Sequence, residues 1–249
     1  MSVLLKLPLL AAVAWGVKVT LTSPQPPPSA KELYGQDDPL ALLLPRTVKV
    51  IFMLNSSNVL TLVQALTYSG VAIEALIILA TKYSNLPFRT TILSLTPSQT
   101  SASRIAVSWP FMAGVITTII GALFRRSCYR ALGRLFTFEV SIRKDHKLVT
   151  TGPYAIVRHP SYISAVLALD GALFCLTGPG SWIYECIGFP TSLFSNPVVV
   201  LCWIASGIVG TRVLYSRVVK EDRMLREKFG KEWDEWAARV PYRLIPGLL

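Results

Sequence analysis

The sequence predicts an all-α fold: an integral membrane helical bundle of about five transmembrane helices, with a cytosolic motif loop and a C-terminal amphipathic helix. Three observations carry this. Hydrophobic residues fill 52% of the 249 positions and charged residues only 16%, where soluble domains carry about 25% charge, and mean hydropathy is +0.48. The apolar residues collect in runs of about 20, the length that crosses a bilayer. Lys and Arg cluster between those runs: of 25 in the chain, eight lie in 125–161 and eight in 217–249. The length suits one membrane-embedded domain over 1–249, with N-terminal helices in 1–134 and the functional region in 135–249.

The first run extends from Val3 to Leu21. Lys6 and Lys18 lie near its ends, where long side chains can snorkel. The run is short and alanine-rich, so a cleaved signal peptide is the competing reading. Ser23 to Ser29 is a stiff polyproline-type linker with no special function expected. Leu40 to Leu54 is apolar but broken by Pro45, Arg46 and Lys49, which suits an interfacial segment. Val59 to Ala80 is the second span. Glu74 inside it must face protein or a polar cavity, and its plain reading is a buried acid bonded to a neighbouring helix.

Ile105 to Phe124 is the third span, with Arg125-Arg126 as a sharp end. Tyr162 to Thr177 and Pro197 to Tyr215 are the fourth and fifth. A Gly178-Pro179-Gly180 turn and an aromatic-rich linker, 182–194, separate these two. The two basic windows follow the third and fifth spans, so both face one side, which the positive-inside rule makes cytosolic. The same clusters account for the net charge of +11 without nucleic acid as a partner; anionic lipid suits them better. From Arg217 to Val240 the residues Val218, Leu225, Phe229, Trp233, Trp236 and Val240 recur at helical spacing, with one missed turn at Asp222. Gly230 is placed to bend that helix. Cys128, Cys175, Cys186 and Cys202 have no metal-like or redox-like spacing and read as structural.

The polar block from His146 to Tyr162 holds both histidines of the protein and abuts an apolar span. A site there can meet a soluble cofactor on one side and a lipid-phase substrate on the other. Pro160 suits the first turn of a helix, whose N-terminus favours negative charge. Two histidines without further ligands do not complete a zinc set, so no metal is expected. No phosphate-binding glycine loop is present. Arg217 and Glu221 are four apart and share a helical face. By spacing alone they read first as an exposed ion pair, which is worth little. At the membrane boundary they also suit a clamp, with Arg217 taking a carboxylate in bidentate fashion and Glu221 an ammonium group.

His146-Lys147-Leu148-Val149, then Gly152-Pro153-Tyr154, then Arg158-His159-Pro160-Ser161-Tyr162 form one motif. A second contains Arg217, Glu221-Asp222, Phe229-Gly230-Lys231-Glu232-Trp233, Arg239-Val240-Pro241 and Ile245-Pro246. Together, over about 135–249, they resemble the isoprenylcysteine carboxyl methyltransferase family. The resemblance implies S-adenosyl-L-methionine as cofactor and, as substrate, the C-terminal carboxylate of a prenylated cysteine in proteins or peptides. It implies the endoplasmic reticulum membrane with the site facing the cytosol. The family's cofactor contacts fall on His146, Lys147, Leu148, Val149, Tyr154, His159, Pro160, Ser161, Tyr162 and Glu221. Glu139 stands where the family has a cofactor-contacting glutamine. Arg217 takes the place of the arginine that engages the substrate carboxylate, which makes Arg217 and Glu221 the catalytic candidates. Departures include Asp222 where the family often has a second Glu, and Ser164 where it often has Gly.

The chemistry agrees. A carboxylate is already ionised at neutral pH and needs no strong base. It needs alignment with a methyl donor and exclusion of water. The prenyl chain would enter a cleft among apolar helices. The C-terminal motif also resembles that of NADPH-dependent membrane sterol reductases, and a scaffold that has lost catalysis is the third alternative. Binding of S-adenosyl-L-methionine, NADPH or neither separates the three.

Overall fold

A computed structural model of the chain describes residues 2–29, 31–34, 56–188 and 197–247. Among these residues the regular structure is helical, with one isolated antiparallel bridge between Leu33 and Ser141. In chain order the helices are α1 (Lys6–Leu21), α2 (Ser56–Lys82), the short α3 (Arg89–Leu93) and α4 (Gln99–Ser103), α5 (Trp109–Leu132), α6 (Pro160–Thr177), α7 (Pro197–Phe229) and α8 (Lys231–Arg239). Among the described residues, four segments are long and apolar enough to cross a membrane: Val3–Leu21, Val59–Lys82, Trp109–Leu135 and Pro160–Thr177. The expected fifth span, Pro197 to Tyr215, forms the first part of the 33-residue α7. The interfacial segment expected at Leu40 to Leu54 lies outside the described residues.

The chain divides into two compact units. One comprises Met1–Thr20, Gln64–Leu123 and Ser164–Ile208; the other Leu21–Val63, Phe124–Ile163 and Val209–Leu249. In the first unit Leu10, Val13 and Val17 of α1, Ile77 and Ile78 of α2, and Phe111 and Val115 of α5 are buried. The two lysines of α1 behave differently. Lys18 is exposed, as expected near a helix end. Lys6, expected to snorkel, is wholly buried. Its ammonium lies 2.6 Å from Glu74 Oε1, donates to the Gly180 carbonyl at 2.7 Å and sits 4.4 Å above the Phe111 ring. The Trp182 amide donates to Glu74 Oε2 at 2.9 Å. The acid inside the second span is thus a paired charge, and its partner comes from the first.

Helices α5 and α6 meet backbone to backbone through small residues, as apolar helices in lipid commonly do. A Cβ on Gly121 would fall 2.5 Å from the Ala168 nitrogen and 2.8 Å from the Ser164 carbonyl oxygen. A Cβ on Gly114 would fall 2.7 Å from the Gly171 carbonyl oxygen. Ser164 itself is fully buried, so the glycine needed for this approach is supplied by α5. Gly121→Ala therefore forces two backbones apart. It is expected to cost about 1–3 kcal/mol, the range for overpacking, read as a lower unfolding midpoint in detergent. An unchanged midpoint would contradict this packing.

Two boundaries differ from expectation for physical reasons. Helix α5 does not stop at Arg125-Arg126 but continues to Leu132, because Arg125 is buried among aromatic rings rather than left to solvent. The fifth apolar run and the amphipathic stretch after it are one helix as far as Phe229. Gly230, with φ of 53°, then redirects the chain into α8. The apolar face of α8 does not lie bare. Trp233, Trp236 and Val240 form a buried cluster with Cys128 and Tyr154, against which Leu132, Leu148, Val149, Leu225 and Phe229 pack.

Candidate functional site

The second unit gathers most of the residues singled out by motif. Pro160 is the first residue of α6, so the loop before it delivers Arg158 and His159 to the helix N-terminus. The C-terminal tail holds that loop in place. The Arg158 amide donates to the Tyr242 carbonyl at 2.9 Å and the His159 amide to the Arg243 carbonyl at 2.8 Å. Negative charge, expected at this helix end, comes from α7 as Glu221 and Asp222.

His159 is 2% exposed. Its Nε2 lies 2.9 Å from Asp222 Oδ1 and its Nδ1 3.5 Å from Glu221 Oε2. Burial pulls the imidazole pKa down, but Glu221 and Asp222 outweigh it and raise it to about 9. For Glu221 burial pulls upward, and His159, Tyr162 and Arg217 outweigh it to bring the carboxyl down to about 2. The pair is therefore ionised at neutral pH, with both imidazole nitrogens protonated. Asp222 also receives Arg243 Nε at 3.1 Å and Arg158 Nη1 at 3.4 Å.

Arg217 and Glu221 share a face of α7 as expected, yet Tyr162 links them. Arg217 Nε donates to the Tyr162 hydroxyl at 2.8 Å, which donates in turn to Glu221 Oε2 at 2.7 Å. The guanidinium lies over the Tyr162 ring at 5.6 Å and also donates to the Phe138 carbonyl. Burial would lower the Arg217 pKa, but Tyr162, Glu221 and Glu139 together raise it. Glu139 thus contributes to the field around Arg217. The Glu221 side chain remains 30% exposed, so its charge is reachable from outside the network.

His146, Lys147, Leu148 and Val149 lie in the loop that precedes α6. Leu148 and Val149 pack on the Tyr154–Trp236 cluster, and the Trp236 indole donates to the Tyr154 carbonyl at 3.2 Å. Lys147 borders an open surface depression with Leu132, Arg134, Leu135 and Asp145. The His146 ring lies 5.9 Å from that of Phe229. Burial, then Lys228, lowers its pKa, which favours the neutral ring. Its Nδ1 and the Trp233 Nε1 are buried without a hydrogen-bond partner. Unpaired buried groups are costly, and these two mark places where a polar ligand group would be satisfied. With the ionised, half-open Glu221, they fit a cofactor that carries a heteroaromatic ring at one end and an ammonium group at the other.

Four residues escaped the reading of the sequence. Asp222 is the hub for His159, Arg158 and Arg243. Arg125 donates to the Ser161 hydroxyl and carbonyl, both at 2.7 Å, and stacks near Tyr129, Phe136 and Phe138 at 5.3–5.5 Å. It joins Ser161 to the segment that accepts from Arg217. Arg158 and Asp222 stand beside His159 and Glu221 in the two motifs, but nothing in the sequence gave either a role.

Residues 114–187 match the model of the isoprenylcysteine carboxyl methyltransferase (ICMT) family. The match takes in the motif from His146 to Tyr162, and the resemblance drawn from that motif is borne out. The chain is 32% identical over 135 residues to protein-S-isoprenylcysteine O-methyltransferase B of Arabidopsis thaliana, covering 53% of this chain and 58% of the relative. It is 30% identical over 129 residues to a probable protein-S-isoprenylcysteine O-methyltransferase of Oryza sativa subsp. indica, covering 51% and 56%. It is 28% identical over 137 residues to the Homo sapiens protein-S-isoprenylcysteine O-methyltransferase, covering 54% and 41%. The chain thus spans about half the length of the curated relatives it matches.

The ion pair has a pH signature. The His159 pKa rises from 6.5 to about 9 on folding, so its stabilisation is complete below about pH 6.5 and is lost as pH climbs through 9. The Glu221 pKa falls from 4.5 to about 2, so its stabilisation is complete above pH 4.5 and is lost as pH falls through 2. The unfolding midpoint in detergent should therefore decline between pH 6.5 and 9.5, and His159→Gln should flatten that decline. An equal decline in the variant would rule out His159 as its source.

Proposed function

We propose that this chain is an S-adenosyl-L-methionine-dependent methyltransferase of the membrane–cytosol interface. Its acceptor is the C-terminal carboxylate of a prenylated cysteine, and its membrane is that of the endoplasmic reticulum. The observation that carries the reading is the Arg217–Tyr162–Glu221–His159 network, a partly buried cation and a partly exposed anion held apart by one tyrosine hydroxyl. The matched ICMT family and relatives named as isoprenylcysteine methyltransferases support the substrate class.

When bound, the cofactor supplies a methyl group on a positively charged sulfur. The chain's own part is placement. Arg217 orients the acceptor carboxylate through its planar donors. Glu221, kept ionised by His159, Tyr162 and Arg217, holds the cofactor's ammonium group. His146 and Trp233 offer their unpaired ring nitrogens to the polar edge of the cofactor, and Leu148, Val149 and Tyr154 build the wall behind it. Lys147, Pro160 and Ser161 complete the cofactor-side loop, with Glu139 beside Arg217. No residue need act as a strong base, because the nucleophile is an ionised carboxylate. The prenyl chain stays in the lipid phase, and exclusion of water from the reacting atoms favours the transfer.

His159→Ala and Tyr162→Phe are expected to weaken S-adenosyl-L-methionine binding on the order of tenfold or more, the scale for losing a bond to a charged group, and prenylcysteine-analogue binding less. Titration of the detergent-solubilised protein with each ligand checks this, with NADPH as a third titrant. Unchanged cofactor affinity in both variants would remove the assignment, and saturable NADPH binding would favour the reductase alternative.

A further inference from the structure

The stretch after α1, of which residues 23–29 read as a linker with no special function, is bonded through Pro26, Glu32, Leu33 and Tyr34 to the segment that holds Arg217. The Leu33–Ser141 bridge is antiparallel. It is flanked by the Tyr34 amide donating to the Val140 carbonyl at 3.0 Å and the Ile142 amide donating to the Glu32 carbonyl at 2.8 Å. Further back, Arg143 Nη2 donates to the Pro26 carbonyl at 2.9 Å. Glu32 closes its own turn by accepting from the Ser29 amide and hydroxyl at 2.8 and 2.9 Å. At the far end the Tyr34 hydroxyl donates to Glu227 Oε2 of α7 at 2.5 Å. The stretch therefore joins the 140–143 segment to α7, the helix that carries Arg217 and Glu221.

The segment it grips has a task. Phe138, two residues before Val140, gives its carbonyl to Arg217. Glu139, between them, raises the Arg217 pKa. A short extended segment has few bonds of its own to keep one carbonyl aimed at a guanidinium. Here Thr137 ties back to the Glu139 carbonyl at 2.7 Å, and the strap pairs with the rest.

We propose that residues 23–29 and 31–34 form a positioning strap for Arg217: they hold the 138–142 segment against α7, with Tyr34 as the fastening residue, and so set the orientation of the acceptor-binding guanidinium. Tyr34 touches neither ligand and acts through Phe138 and Arg217. The acceptor role rests on the function proposed above, whereas the strap's hold on the segment does not.

The test uses the full chain with Tyr34→Phe, which removes the hydroxyl, and Tyr34→Pro, which also removes the amide donor to Val140. Either is paired with Leu33→Cys and Ser141→Cys. In the antiparallel geometry seen here the bridged Cα atoms are about 4.5 Å apart, within disulfide range. Two quantities are read. Hydrogen exchange over 138–142 should quicken about tenfold or more in Tyr34→Pro, and less in Tyr34→Phe. The acceptor KM, for acetyl-farnesylcysteine, should rise about threefold to tenfold while the KM for S-adenosyl-L-methionine stays within twofold. Oxidising the cysteine pair should restore both, and reduction should undo the rescue. A general loss of folding would move both KM values and escape rescue. Unchanged exchange in both variants overturns the strap whatever reaction the protein catalyses. Quickened exchange with an unchanged acceptor KM overturns the positioning role. A wild-type protein without methyl transfer would instead sink the functional reading, while exchange still decides whether the strap holds its segment.

Discussion

Arg217→Lys should leave a folded protein that has lost most of its methyl transfer, although the positive charge is kept. The guanidinium has three engagements at once: the Tyr162 hydroxyl, the face of the Tyr162 ring and the Phe138 carbonyl. Its planar fork can keep these while another edge receives a carboxylate; an ammonium is a point charge with a different reach. Losing a charge-assisted contact that tightens in the transition state costs on the order of 2–4 kcal/mol, roughly 30- to 1000-fold in rate. Glu221→Gln should raise the cofactor requirement instead, because it removes the anion for the cofactor's ammonium group. Specific activity per folded molecule, with cofactor and acceptor varied separately, checks both. Ion pairing for structure alone would lower the yield of both variants and leave the activity of the survivors near wild type.

The second large effect lies in the apolar unit. Lys6 and Glu74 are 0% and 1% exposed and 2.6 Å apart. Either variant alone, Lys6→Met or Glu74→Leu, strands a charge in an apolar interior, at a cost of about 3–5 kcal/mol. The double variant strands none and should recover most of that loss. It leaves the Gly180 carbonyl and Trp182 amide, which the pair now satisfies, without their partners, so recovery is incomplete. Unfolding midpoints of the four proteins in one detergent measure the coupling. Additive losses would show that the two charges do not depend on each other.

Apolar runs placed the helices well, because a span must satisfy its own backbone and hide its polar side chains whatever surrounds it. The same reasoning misjudged Lys6. A lysine near a helix end snorkels unless an acid meets it inside, and the acid lies in another span. It also ended the third span at Arg125, since nothing local reveals the aromatic cage of Tyr129, Phe136 and Phe138. At the site, His159, Tyr162, Arg217 and Glu221 were legible because their types and spacing repeat a known pattern. Asp222 was visible in the motif but its role was not, because its partners Arg158, His159 and Arg243 come from two distant segments. Gly230 was legible as a bend, but the continuity of α7 from the apolar run into the charged stretch was not. Helical periodicity is indifferent to where lipid stops.

The central claim is the transfer itself, and one measurement reaches it most directly. Membranes containing the chain are incubated with S-adenosyl-L-methionine labelled in its methyl group and with acetyl-farnesylcysteine. Base-labile methyl ester should form on the acceptor with wild type and fall at least 30-fold with Arg217→Lys. No ester from the wild-type protein, or equal ester from both, would contradict the account.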